Sequence, residues 1–124
     1  MRAVLSVVPL LLLSPTAAAQ QPAPHKQTIH LFSFGYDPKP IVLEAGKPVT
    51  LTFVNRSKSS HDFTAKKFFA SSRIVSGDAP GGEIDLDGGQ SRSVTLVPAA
   101  GQYEVHCGHT MHSFMGMRTN IIVR

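Results

Sequence analysis

YEVHCGHTMHSFMGM, residues 103–117, holds the only cysteine of the 124-residue chain, three of its six histidines and three of its four methionines. Its first half reads as a strand, with Tyr103, Val105 and Cys107 on one face and Glu104 and His106 on the other. An inward apolar face turns the Cys107 thiol toward the core and His106 toward solvent. The second half is a ligand-rich loop, and Asn120-Ile121-Ile122-Val123 follows as a closing strand. Thiolate, imidazole and thioether together suit copper, in a trigonal Cys/His₂ site with a weak axial Met. Such a site needs a second histidine from elsewhere, and His61 in Ser60-His61-Asp62-Phe63 supplies it.

Within the loop two histidines compete. Cys107-x-His109 would have to bend back sharply on one ion, whereas Cys107-x₄-His112 lets the loop cross over it and return the imidazole from another side, so His112 is preferred. His109 is left as a supporting group, an exposed residue or part of a separate weak metal site. For the thioether, Met111, Met115 and Met117 are all available, and spacing alone does not choose among them.

Upstream, the chain carries the punctuation of an all-β domain. Gly35, Asp37-Pro38, Pro40, Gly46, Pro48, Gly77, Pro80-Gly81-Gly82, Gly88-Gly89, Pro98 and Gly101 separate short apolar runs. Strands are expected at 28–34, 41–44, 49–55, 83–86, 91–97, 101–107 and 120–124. Alternation supports them: Val49, Leu51 and Phe53 oppose Thr50 and Thr52, and Val94 and Leu96 oppose Ser93 and Thr95. In the first strand Ile29 and Leu31 compete with Phe32 and Phe34 for the inward face. About seven short strands suit a sandwich. The long connection 56–82 carries His61 and then a short helix over 65–70 that places Phe68 and Phe69 on the core.

The first nineteen residues read as a secretory signal: Arg2, an apolar run over 3–13, and Ala17-Ala18-Ala19 as a cleavage site. That run falls short of the roughly 20 residues a spanning helix needs. The domain plan is therefore a signal at 1–19, a polar lead-in at 20–27 and one domain at 28–124, periplasmic and not membrane-inserted once the signal is removed. A formal charge of +4, with one basic residue in the leader, is too small for a nucleic-acid signature. A lone Cys107 forms no disulfide within the chain and excludes a two-cysteine binuclear copper centre.

The same residues admit plainer readings. A single buried cysteine is ordinarily a small hydrophobe. A nucleophilic Cys/His enzyme lacks an identifiable acidic partner and leaves the methionines unexplained. Structural zinc takes four Cys/His ligands and no Met.

The combination of His61 with Cys107-x₄-His112-x₄-Met117, Gly116-Met117 and a final short strand resembles the cupredoxin, or type 1 blue copper, family, and its loop spacing is similar to that of rusticyanin, auracyanin and phytocyanin members. The resemblance implies a Greek-key β-sandwich with one short helix in the long connection, one copper ion per chain cycling between Cu(I) and Cu(II), His61, Cys107 and His112 as equatorial ligands and Met117 as axial, with Met115 its rival. It implies a non-enzymatic one-electron carrier whose partner is a cytochrome or copper oxidoreductase, with His112 as the electron's exit and Met111, Phe114 and Met115 around it. The surplus of His109, Met111 and Met115 points to the alternative, copper delivery to a copper-accepting protein. Arg56, Lys58, Lys66, Lys67 and Arg73 form a candidate docking surface for an acidic partner. Two positions depart from the family pattern: Gly108 stands where many members carry a hydroxyl residue tying the ligand loops together, and Asp62 where Asn or Ser is common.

Overall fold

The fold is that of a computed structural model describing residues 12–18, 22–109 and 115–124. His112, Met111 and Phe114 lie outside the described residues. Among those described, the strands are β1 (His25–Phe32), β2 (Gly35–Asp37), β3 (Ile41–Leu43), β4 (Val49–Asn55), β5 (His61–Thr64), β6 (Arg73–Ser76), β7 (Glu83–Leu86), β8 (Ser91–Val97), β9 (Gly101–His106) and β10 (Arg118–Val123), with one helix, α1 (Lys66–Ser71). They form two five-stranded sheets, ordered β2-β1-β4-β8-β6 and β3-β10-β9-β5-β7. The all-β Greek-key sandwich expected from the sequence is present, with ten strands in place of about seven.

The additional strands have physical reasons. Ile29 and Leu31 win the inward face of β1 and are fully buried, while Phe32 and Phe34 are exposed. The chain reverses at residues 33–34, so the single strand expected over 28–34 becomes β1 and the short β2, paired antiparallel from His30↔Asp37 to Phe32↔Gly35. β1 also starts at His25, inside the expected lead-in, because residues 25–31 pair in parallel register with β4. The long connection is not a loop: it contains β5, α1 and the exposed β6. His61 therefore opens a strand, where sheet pairing fixes its direction.

The core fills from both sheets. Val49, Leu51 and Phe53 of β4 are buried, as their alternation requires. On the outer face Thr50 and Thr52 bond the hydroxyls of Thr95 and Ser93 on β8 at 2.8 and 2.9 Å. From the other sheet come Phe63, Ile84, Leu86, Val105 and Ile121. α1 buries Phe68 and Phe69 against them. Ring contacts link Phe53 to Phe63 (centroids 4.8 Å apart), Phe63 to Phe69 (6.2 Å) and Phe68 to Tyr103 (5.5 Å). Offset and edge arrangements of this kind add to the apolar burial itself.

Buried Asn55, at the end of β4, fixes the approach to β5. Its amide nitrogen donates to the carbonyls of Ser59, Leu86 and Asp87 at 2.8, 3.0 and 3.2 Å, and its oxygen accepts from the Ser57 backbone N–H at 3.0 Å. One side chain thus joins the first sheet to the turn before His61 and to the end of β7. A Cβ at Gly88 would lie 2.5 Å from the Lys58 carbonyl oxygen, so this close approach requires glycine.

Candidate metal centre

β9 delivers Cys107 and β10 begins just after Met117. The two strands pair antiparallel from Arg118↔His106 to Val123↔Gly101. One further bond, from the Cys107 N–H to the Met117 carbonyl at 3.2 Å, sets these two residues opposite each other, just beyond the paired ends of β9 and β10. Parity does the rest: Val105 and Thr119 are buried and His106 and Arg118 exposed, so the next inward positions are Cys107 and Met117, with 1% and 0% of their surface accessible. Met115 is 55% exposed.

His61 arrives from the neighbouring strand. β5 pairs with β7 through His61↔Leu86 and Phe63↔Ile84, an apolar inward face, and through Asp62↔Asp85 and Thr64↔Glu83 on the other. His61 is buried with that inward set. The peptide linking it to Asp62 lies against the thiol, with the Asp62 N–H donating to Cys107 Sγ at 3.5 Å. That same residue's carbonyl accepts the buried Tyr36 hydroxyl at 2.7 Å.

The side chain of Asp62 ties the two ligand segments together. Its two oxygens accept the Gly108 N–H at 2.8 and 2.9 Å, and Thr64 Oγ1 donates to Oδ1 at 2.6 Å. Gly108 carries no hydroxyl, so the tie runs from the carboxylate of one segment to the backbone of the other. Sequence reading missed this role, as it missed Tyr36 and Asn55. The available signal was Asp62 itself, an acidic residue between a proposed ligand, His61, and the apolar Phe63.

Electrostatically, burial is the main influence raising the Cys107 thiol above its ordinary range, and the carboxylates of Asp62 and Asp85 add to it. Backbone N–H groups of Asp62 and His109 oppose it by favouring the thiolate. Burial likewise pushes the Tyr36 phenol far up, with Cys107 and Asp62 contributing. A buried sulfur with two N–H donors, on a segment tied through the backbone to those of buried His61 and buried Met117, is chemically fitted to a soft or borderline metal ion.

A family model for the cupredoxin-like domain matches residues 2–123. The chain belongs to the cupredoxin-like domain family. Its fold is similar to that of auracyanin from the photosynthetic bacterium Roseiflexus castenholzii, at 20% identity and a TM-score of 0.61 over 83% of this chain and 99% of that one. Auracyanin A, a "blue" copper protein from Chloroflexus aurantiacus, matches at 20% identity and a TM-score of 0.56, covering 80% of this chain and 99% of its own. The cupredoxin-like domain also resembles part of a multicopper oxidase from Campylobacter jejuni, at 12% identity and a TM-score of 0.62, over 87% of this chain and 32% of the oxidase. No curated protein sequence matches significantly. These likenesses establish the fold.

The remaining candidates are placed as follows. His106 is exposed on β9. His109 Nε2 stands 3.3 Å from Asp85 Oδ1 and 3.7 Å from Asp62 Oδ2. His30 meets Arg56 at 3.2 Å on the other sheet, and His25 is exposed at the start of β1. Among the described residues, no helix is long and apolar enough to cross a membrane.

Proposed function

We propose that this protein is an exported mononuclear copper protein that carries single electrons through a type 1 site made by His61, Cys107, His112 and Met117. The observation that carries the reading is the convergence of buried Cys107 and Met117 at the adjoining ends of β9 and β10, with the His61–Asp62 peptide against the sulfur. The family and the blue copper description of a structural neighbour point to the same metal. The exposure of Met115 and the burial of Met117 favour Met117 as the axial donor.

Bound copper would supply a one-electron couple. The chain's residues do the rest. Cys107 provides the thiolate, and the N–H groups of Asp62 and His109 lower the electron density on its sulfur, one of the levers on potential. Asp62, Tyr36 and the β9–β10 ladder hold the donors in place, which limits reorganisation when charge changes. The buried aromatic core excludes water from the inner side. No catalytic group is assigned.

Voltammetry of the copper-loaded protein tests the carrier role. A reversible one-electron wave with copper retained through repeated cycles is expected. The second reading, copper delivery to an accepting protein, draws on exposed Met115, two residues before Met117. It predicts instead that Cu(I) passes rapidly to a competing chelator. An acidic redox partner would meet the exposed Lys66, Lys67 and Arg73, and association rates independent of ionic strength would count against that docking face.

A further inference from the structure

On the outward side of the same region, three side chains from three segments converge: Asp62 of β5, Asp85 of β7 and His109 of the segment after β9. We propose that they form a second cation site, separate from the buried Cys107 and Met117, that takes a borderline divalent ion such as Zn²⁺ or Cu²⁺. Asp62 and Asp85 are direct cross-strand partners, so two carboxylates face each other on one side of the sheet. Like charges opposed in this way are unfavourable. Among the described residues, His109 is the only basic side chain within ion-pair distance of either.

The donor geometry suits a metal. His109 Nε2 lies 3.3 Å from Asp85 Oδ1 and 3.7 Å from Asp62 Oδ2, and one donor atom from each residue falls within 4.8 Å of the others. Ligands ~2.1 Å from a tetrahedral ion stand about 3.4 Å apart, close to the two distances from His109. An ionised carboxylate offers about four acceptor positions. On Asp62, Gly108 and Thr64 use two at Oδ1, and Gly108 uses one at Oδ2. Oδ2, which keeps a position, lies 3.7 Å from His109 Nε2. Asp62 is thereby oriented by the fold, while Asp85 (side chain 60% exposed) and His109 (35%) leave an approach from solvent. Water would complete the coordination, as in open three-ligand sites.

This site shares residues with the sulfur's hydrogen bonds. The backbone N–H groups of Asp62 and His109 point to Cys107, while their side chains point to the cation position. A cation held there would sit beside both N–H donors to the thiolate.

The test is zinc chloride titration, followed calorimetrically, of the Cys107→Ala protein, which lacks the thiolate of the buried site. One Zn²⁺ per chain is expected, with Asp85→Asn and His109→Gln in that background each weakening binding roughly tenfold or more. Absence of zinc binding, or binding unaffected by both substitutions, would overturn the proposal. Amide NMR of the unmutated protein gives a second readout: shifts on zinc addition centred on Asp62, Asp85 and His109 support the site, and shifts confined to His61 and Cys107 oppose it. None of these readouts uses a copper signal, so the outcome stands apart from that of the type 1 reading.

Discussion

The Asp62 carboxylate grips the Gly108 backbone N–H with both oxygens, at 2.8 and 2.9 Å, and so couples the strand that begins with His61 to the loop that begins with Cys107. Replacing Asp62 by Ala leaves Gly108 and Thr64 without this acceptor. The metal-free variant should lose about 1–3 kcal/mol in urea unfolding, the scale of orphaning buried polar groups. Asp62→Asn retains one oxygen acceptor and should lose less.

Gly108 answers to the same contact. A Cβ there would lie 3.2 Å from Asp62 Oδ2, closer than the carboxylate comfortably allows. Gly108→Ala should therefore displace Asp62 and destabilise the metal-free fold in the same unfolding assay. In the Asp62→Ala background the added Cβ meets no carboxylate, so its cost should shrink, and a double-mutant cycle reads the difference.

Much of this architecture was legible. The alternation in 49–55 and 91–97 fixed the inward faces of β4 and β8, and the parity of 103–107 gave the buried thiol and the outward His106 correctly. Phe68 and Phe69 on a short helix followed from the same reasoning. The extra strands were not legible for a physical reason. All four residues of β5 are buried, Asp62 and Thr64 by contacts from distant segments, so no alternation marks the strand. β6 is exposed throughout and exists through its pairing with β8. Asp62 hid because its partner is a backbone group 46 residues away.

The aromatic cluster joins both sheets and α1 in the core. Phe63 is fully buried and touches the rings of Tyr36, Phe53 and Phe69. Phe63→Ala should cost about 3–5 kcal/mol. Phe32, 42% exposed, is the control, and Phe32→Ala should stay within ~1 kcal/mol of the parent.

Cys107 makes stability depend on pH. Its folded-state thiol is raised, chiefly by burial, so the folded protein prefers the protonated form. The associated stability is fully present below the ordinary thiol range and is lost as pH rises through the higher, folded value. Urea unfolding of the metal-free protein at neutral and strongly alkaline pH should show an alkaline loss that Cys107→Ser reduces. An equal loss in both proteins would place its origin elsewhere.

The two methionines separate by burial, Met117 at 0% exposed and Met115 at 55%. Removing a weak axial donor should favour Cu(I), so Met117→Leu should raise the reduction potential of the copper-loaded protein. Met115→Leu should leave it nearly unchanged. The reverse ranking would exchange their roles.

The most direct measurement is the visible absorption spectrum after adding one equivalent of Cu(II), taken for the parent and for Cys107→Ala. A type 1 site predicts an intense thiolate-to-copper charge-transfer band in the parent that disappears in the variant. Weak absorption in the parent, unaltered by removing the thiol, would contradict the account.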